Sequence, residues 1–141
     1  MPVVDASVVV DWVAPGVGAE APAWTCLRHL VDRRAELVAP AVLHEEVGDA
    51  LLAGVRRGRW SAAAADRAFA ALRRLPVRLE DDATLTDRAW ELARRHDDDH
   101  PLAELLYVAL AEREGTELVT ADAGLRRSHS SVVRIVAPGR L

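Results

Sequence analysis

Two apolar runs of this chain end alike. VVD delivers Asp5 and LVTAD delivers Asp122, each just past valines or leucine and just before residues of helical character. If the two runs are neighbouring parallel strands, their carboxylates meet at one edge of a sheet. Singly, either aspartate also suits a helix N-cap, where a side-chain oxygen accepts backbone N–H groups. PAVLHEEVGDALL adds a third source of acid. A helix starting after Pro40 carries Glu45 and Glu46 about 100° apart, so one of the two faces solvent, and periodicity does not say which. Asp49, three residues after Glu46, shares its side. The fourth acid is Glu104, set between Ala103 and Leu105 in an otherwise apolar stretch. A carboxylate there is costly unless it is paired, metal-bound or at the helix's exposed edge. A place in the first helical turn, where the helix dipole favours negative charge, is the plainer account of it.

Carboxylates gathered at one edge repel one another and raise each other's pKa values. A divalent cation relieves that repulsion, and all-oxygen ligation suits Mg²⁺ or Mn²⁺ rather than zinc. Such a site can acidify water and place it for in-line attack on a phosphodiester.

The elements that must position these acids are short strands alternating with helices. MPVVD reads as a strand, Ala6 to Val13 as a helix, and Pro15, Gly16 and Gly18 as a break. Further helices are expected over Glu20 to Arg34, Ala41 to Arg57, Ser61 to Arg74, Thr84 to His96, Pro101 to Glu114 and Ala123 to Arg127. Leu102, Leu105, Leu106, Ala109 and Leu110 give the clearest helical spacing. Strands are expected at Glu36 to Ala39, Val77 to Leu79, Glu117 to Thr120 and Val132 to Val136. This alternation implies a parallel sheet covered on both faces, a three-layer α/β/α fold. Ligands of such sheets bind beyond the carboxyl ends of the strands, which is where Asp5 and Asp122 fall.

Composition narrows the function classes. The chain has 141 residues, 22 acidic against 18 basic, for a formal charge of −4, and it is 50% hydrophobic. It reads as one domain over residues 1–141, globular and without a membrane span. The N-terminal segment has no basic region before its apolar residues, so a cytoplasmic protein is expected. The single Cys26 excludes an internal disulfide and a multi-cysteine zinc site. Every basic residue is arginine, which removes a P-loop and Schiff-base chemistry. The mild acidity opposes a general nucleic-acid coat protein but not a nuclease with an acidic metal site.

The segments VVDASVVVDW, PAVLHEEVGDALL and HPLAELLYVALAEREGTELVTADAGL cover the chain in order, and the last is the most specific. With them the chain resembles the PIN-domain proteins, specifically the VapC-type toxins of toxin–antitoxin pairs. The resemblance implies a PIN-like fold and an acidic quartet, Asp5, Glu46, Glu104 and Asp122, holding Mg²⁺ or Mn²⁺ and cleaving RNA. It favours Glu46 over Glu45. It implies supporting roles for the hydroxyls of Ser7 and Thr120, a VapB-type antitoxin as partner, a narrow RNA target and a homodimer. Two positions depart from the family's pattern. Glu104 stands where the family usually has Asp, so it ligates directly, ligates through water, or leaves the site weakened. Asp49 stands where Asn is frequent. An alternative is therefore a PIN-fold protein that mainly binds its antitoxin and takes part in operon autoregulation. A metal-dependent phosphatase or DNase on the same fold is a third class.

Other signals are weaker. Gly16 to Ala21 reads G-x-G-x-x-A but follows a helix rather than a strand, against dinucleotide binding. The stretch His96-Asp97-Asp98-Asp99-His100 reads as a solvated acidic loop. Arg126 and Arg127 follow Asp122 and can hold RNA phosphates bidentately. Trp12 and the helices around Trp60 are candidate partner contacts.

Overall fold

A computed structural model describes residues 1–96 and 99–141. Asp97 and Asp98 of the expected acidic loop lie outside them. The elements are β1 (Val3–Val4), α1 (Ala6–Val13), α2 (Pro22–Asp32), β2 (Leu37–Pro40), α3 (Leu43–Arg56), α4 (Ala62–Leu72), β3 (Val77–Glu80), α5 (Ala83–Arg95), α6 (Leu102–Glu114), β4 (Leu118–Val119), α7 (Ala123–His129) and β5 (Ile135–Val136). A 3₁₀ turn follows over Pro138–Arg140.

Local chemistry sets most boundaries. Ser61 caps α4 by accepting from the Ala64 N–H at 3.1 Å. Gly115 closes α6 at φ +64°, and Gly58 turns the chain out of α3 at φ +70°, both left-handed positions that favour glycine. Helix α2 begins at Pro22 rather than Glu20, because proline suits the first helical turn. The last strand begins at Ile135, later than expected, because Val132 is held in a turn by its N–H bond to His129 O.

All five strands pair in parallel, in the order β3-β2-β1-β4-β5. From β1 the chain moves to β2 and then β3 in one direction. It then returns across the sheet to β4 and continues to β5. Right-handed crossovers put α1 to α4 on one face and α5 to α7 on the other, the three layers expected. Packing agrees: α1 contacts α2, α3 and α4, while α5 lies against α6. The direction reverses between β1 and β4, so their carboxyl ends flank the topological switch point, where open α/β sheets bind ligands.

Strands β1, β2, β4 and β5 are buried on both faces, which is why they read as unbroken apolar runs. Helix α6 is buried around most of its circumference, through Leu105, Tyr107, Val108, Ala109, Leu110 and Ala111. It packs on β1, β2 and β4 as well as on α5. Trp12 is also core, 4% exposed, with Nε1 donating to Ala23 O at 2.6 Å. The expectation that it offers a partner contact is therefore corrected. Among the described residues, no helix is long and apolar enough to cross a membrane.

Candidate acidic metal centre

Strand β1 pairs with β4 at Val4 and Val119. One residue further on, Asp5 donates its N–H to Val119 O at 2.9 Å, bringing Asp5 beside Thr120. The Asp5 side chain is buried, 6% exposed. It makes no cap bond to α1. Its Oδ2 instead accepts the Ser7 and Thr120 hydroxyls, each at 2.7 Å. Those hydroxyls accept in turn from the backbone N–H groups of Ala121 and Asp122, at 3.1 and 3.0 Å. The turn between β4 and α7 is thus tied to Asp5. Both hydroxyls converge on Oδ2 and so fix the orientation of the carboxylate.

Asp122 does two jobs. Its Oδ1 caps α7, accepting from Gly124 and Leu125 N–H at 2.8 and 3.2 Å. Its Oδ2 lies 3.3 Å from His100 Nε2. The N-cap and site readings of this residue are therefore compatible, one oxygen for each.

On α3, Glu45 is exposed and Glu46 is half-buried. Tyr107 on α6 donates its hydroxyl to Glu46 Oε1 at 2.7 Å. Burial raises the Glu46 carboxyl above its ordinary value, the Tyr107 bond opposes the rise, and the charges of Asp5 and Asp49 add to it. Asp49 itself is exposed and touches the site through its field. The Tyr107 hydroxyl is pushed up by burial and then by Glu46, so it stays a donor.

Glu104, in the first turn of α6, is raised by burial, then by Asp5, Asp122 and Glu46, with His100 opposing. Its field partners are the other three acids, so the longer side chain brings its carboxylate among them. Glu104 on α6 thus lies within electrostatic reach of Asp5 after β1, Glu46 on α3 and Asp122 after β4. Their chemistry fits a hard divalent cation. The donors are oxygens, and burial together with neighbouring carboxylates raises Glu46 and Glu104. Arg126 and Arg127 are exposed on α7, near its Asp122 cap.

Two residues of this site were not singled out for it in the sequence. Tyr107 lies outside the helical spacing of Leu102, Leu105, Leu106, Ala109 and Leu110 that marks α6 in the sequence. His100 belonged to a loop read as solvated, yet its side chain is 14% exposed, and its Nε2 also lies 3.9 Å from Glu104 Oε2. His100, Glu104 and Asp122 can each offer one ligand atom within 4.8 Å of the others. The i, i+4 spacing of His100 and Glu104 was the available signal.

A parallel α/β/α sheet with carboxylates near its switch point sets acidic side chains where open α/β folds bind ligands. The chain belongs to the PIN-domain family, whose model matches residues 3–128. Within that family it is of the VapC type. Ribonuclease VapC3 of Mycobacterium tuberculosis is 36% identical over 129 residues, covering 92% of this chain and 88% of the relative. Solved structures share the fold. VapC20 of Mycobacterium tuberculosis, described as a sarcin–ricin loop cleaving toxin, matches with a TM-score of 0.66 at 21% identity, over 90% of this chain and 94% of that one. FitAcB from Neisseria gonorrhoeae matches with a TM-score of 0.67 at 15% identity, over the whole of both chains.

Proposed function

We propose that this chain, as one domain over residues 1–141, is a divalent-cation-dependent endoribonuclease and the toxin of a toxin–antitoxin pair. The observation that carries the reading is the convergence of Asp5, Glu46, Glu104 and Asp122 at the β1–β4 switch point, in a chain 36% identical to a ribonuclease. The cation, Mg²⁺ or Mn²⁺, would be held by these four carboxylates. When bound it supplies positive charge for the transition state of phosphodiester hydrolysis and acidifies water for in-line attack.

The chain's own residues do the rest. Ser7 and Thr120 fix the Asp5 carboxylate, and Tyr107 fixes Glu46. Such partners preset ligand geometry, so little reorganisation is needed when substrate arrives. Arg126 and Arg127 meet RNA phosphates as bidentate donors. A VapB-type antitoxin is the partner, and a homodimer is the assembly. Leu52 and Phe69 support such contacts, being exposed large apolar side chains on α3 and α4, the helices joined through Trp60.

The test is cleavage of total cellular RNA by antitoxin-free protein in Mg²⁺, Mn²⁺ or EDTA, with DNA in parallel. Discrete, ion-dependent RNA cuts are expected. Ion-independent cutting, or cutting of DNA alone, contradicts the proposal.

A further inference from the structure

The acids of the proposed site offer oxygen, but one nitrogen stands among them. His100 Nε2 lies 3.3 Å from Asp122 Oδ2 and 3.9 Å from Glu104 Oε2. Ligand atoms bound about 2.1 Å from an ion sit about 3.0 Å apart as octahedral neighbours and about 3.4 Å apart in a tetrahedron. The His100–Asp122 spacing already matches that of two ligands of one ion, the Glu104 oxygen stands about half an ångström further out, and all three residues can offer ligand atoms within 4.8 Å of one another. The ring is also held in place. His129 is fully buried and meets the His100 ring edge-on, with centroids 6.2 Å apart. Asp122 is fixed from behind by its cap bonds, which occupy Oδ1 and leave Oδ2 toward the histidine.

The geometry points to His100 as a direct nitrogen ligand of the divalent cation, making this a mixed carboxylate–imidazole centre that prefers a borderline transition ion over Mg²⁺. The inference rests on the acidic-site reading above. Imidazole suits transition ions, whereas Mg²⁺ favours oxygen and holds its waters. An all-carboxylate site discriminates little between Mg²⁺ and Mn²⁺, while one bound imidazole tilts the balance toward Mn²⁺, Co²⁺ and Zn²⁺. A merely positioning role for His100, holding Asp122 without touching the ion, leaves that balance unchanged.

The experiment uses the full chain, purified free of antitoxin and stripped of metal. Calorimetric titration with Mg²⁺, Mn²⁺ and Co²⁺ gives the affinities. Pulsed electron paramagnetic resonance of the Mn²⁺-loaded protein reads nitrogen directly bound to the ion. The wild type is expected to bind Co²⁺ at least tenfold more tightly than Mg²⁺ and to show ¹⁴N coupling to Mn²⁺. In His100→Gln the coupling disappears, and Co²⁺ affinity falls at least tenfold while Mg²⁺ affinity falls less. Metal-free thermal unfolding of the variant checks its fold, and the wild-type resonance measurement needs no variant. Mn²⁺ binding without ¹⁴N coupling, or coupling that survives in His100→Gln, overturns the histidine assignment and leaves the acidic site standing. Failure of the wild type to bind any of the three ions overturns both.

Discussion

Tyr107 on α6 donates its hydroxyl to Glu46 Oε1 on α3 across 2.7 Å, joining residues 61 positions apart. The bond holds one candidate ligand to the helix that carries another, Glu104. Tyr107→Phe keeps the buried ring and removes only the donor. Cation affinity is expected to fall about 10- to 100-fold, the usual loss when a partner of a metal ligand is removed. Calorimetric titration of the metal-free variant with Mn²⁺ checks this, and unchanged affinity would separate Tyr107 from the site.

Thr120→Val tests the other anchor. The hydroxyl donates to Asp5 and accepts from the Asp122 N–H, so its isosteric loss takes the acceptor from the Asp122 N–H and leaves Asp5 Oδ2 with the Ser7 hydroxyl alone, at a residue only 2% exposed. A stability loss of about 1–3 kcal/mol is expected in urea unfolding. Ion-dependent cleavage should fall with it, because Asp5 loses one of its two orienting donors. A Thr120→Ser variant, which keeps the hydroxyl, should recover most of the cleavage.

The acids also predict a pH dependence. The Glu104 carboxyl is raised from its ordinary value of 4.5 in the folded chain. Between the ordinary and the raised value the folded state therefore binds more protons than the unfolded state, and stability falls as pH rises through that window. Glu104→Gln has no such titration. In EDTA, the melting temperature of the wild type relative to Glu104→Gln should decline as pH rises above about 4.5. A relative gain for the wild type over that range would contradict the raised carboxyl. At neutral pH, a cation at a hundredfold excess over its dissociation constant should return about 2.7 kcal/mol to the wild type.

Much of this arrangement is legible in the chain itself. Asp5 and Asp122 end apolar runs, and a parallel sheet brings such ends together whatever the details of its packing. Glu46 could not be separated from Glu45 by helical spacing, because the choice is made by Tyr107, which belongs to a distant helix. His100 was hidden by its acidic neighbours, which gave its segment the composition of a solvated loop. Only the approach of α7 to the start of α6 sets it against Asp122. Trp12 failed as a surface contact for a related reason. Its burial depends on α2 folding back over α1, which single-helix periodicity does not contain.

Stability and chemistry separate at the far end of α3. A Cβ on Gly54 would collide with the Trp60 indole, whose Nε1 donates to Leu51 O at 2.9 Å. Gly54→Ala is expected to cost about 1–3 kcal/mol through overpacking. Glu46 lies about two turns earlier on the helix, so the folded fraction should retain ion affinity. Urea unfolding beside Mn²⁺ titration distinguishes this from a variant that damages the site.

The central claim is that four carboxylates hold the cation that makes this chain a ribonuclease. Asp5→Asn tests it most directly, since Asn keeps the side chain's size and removes its charge. The measurement is the sequencing of RNA ends produced from total RNA by the wild type and by Asp5→Asn, each with Mn²⁺ and with EDTA, alongside thermal unfolding as a check on the fold. The account predicts discrete cuts by the wild type in Mn²⁺, and a folded Asp5→Asn that cuts no more than the EDTA control. The same cuts made at the same rate by Asp5→Asn, or by the wild type in EDTA, would contradict it.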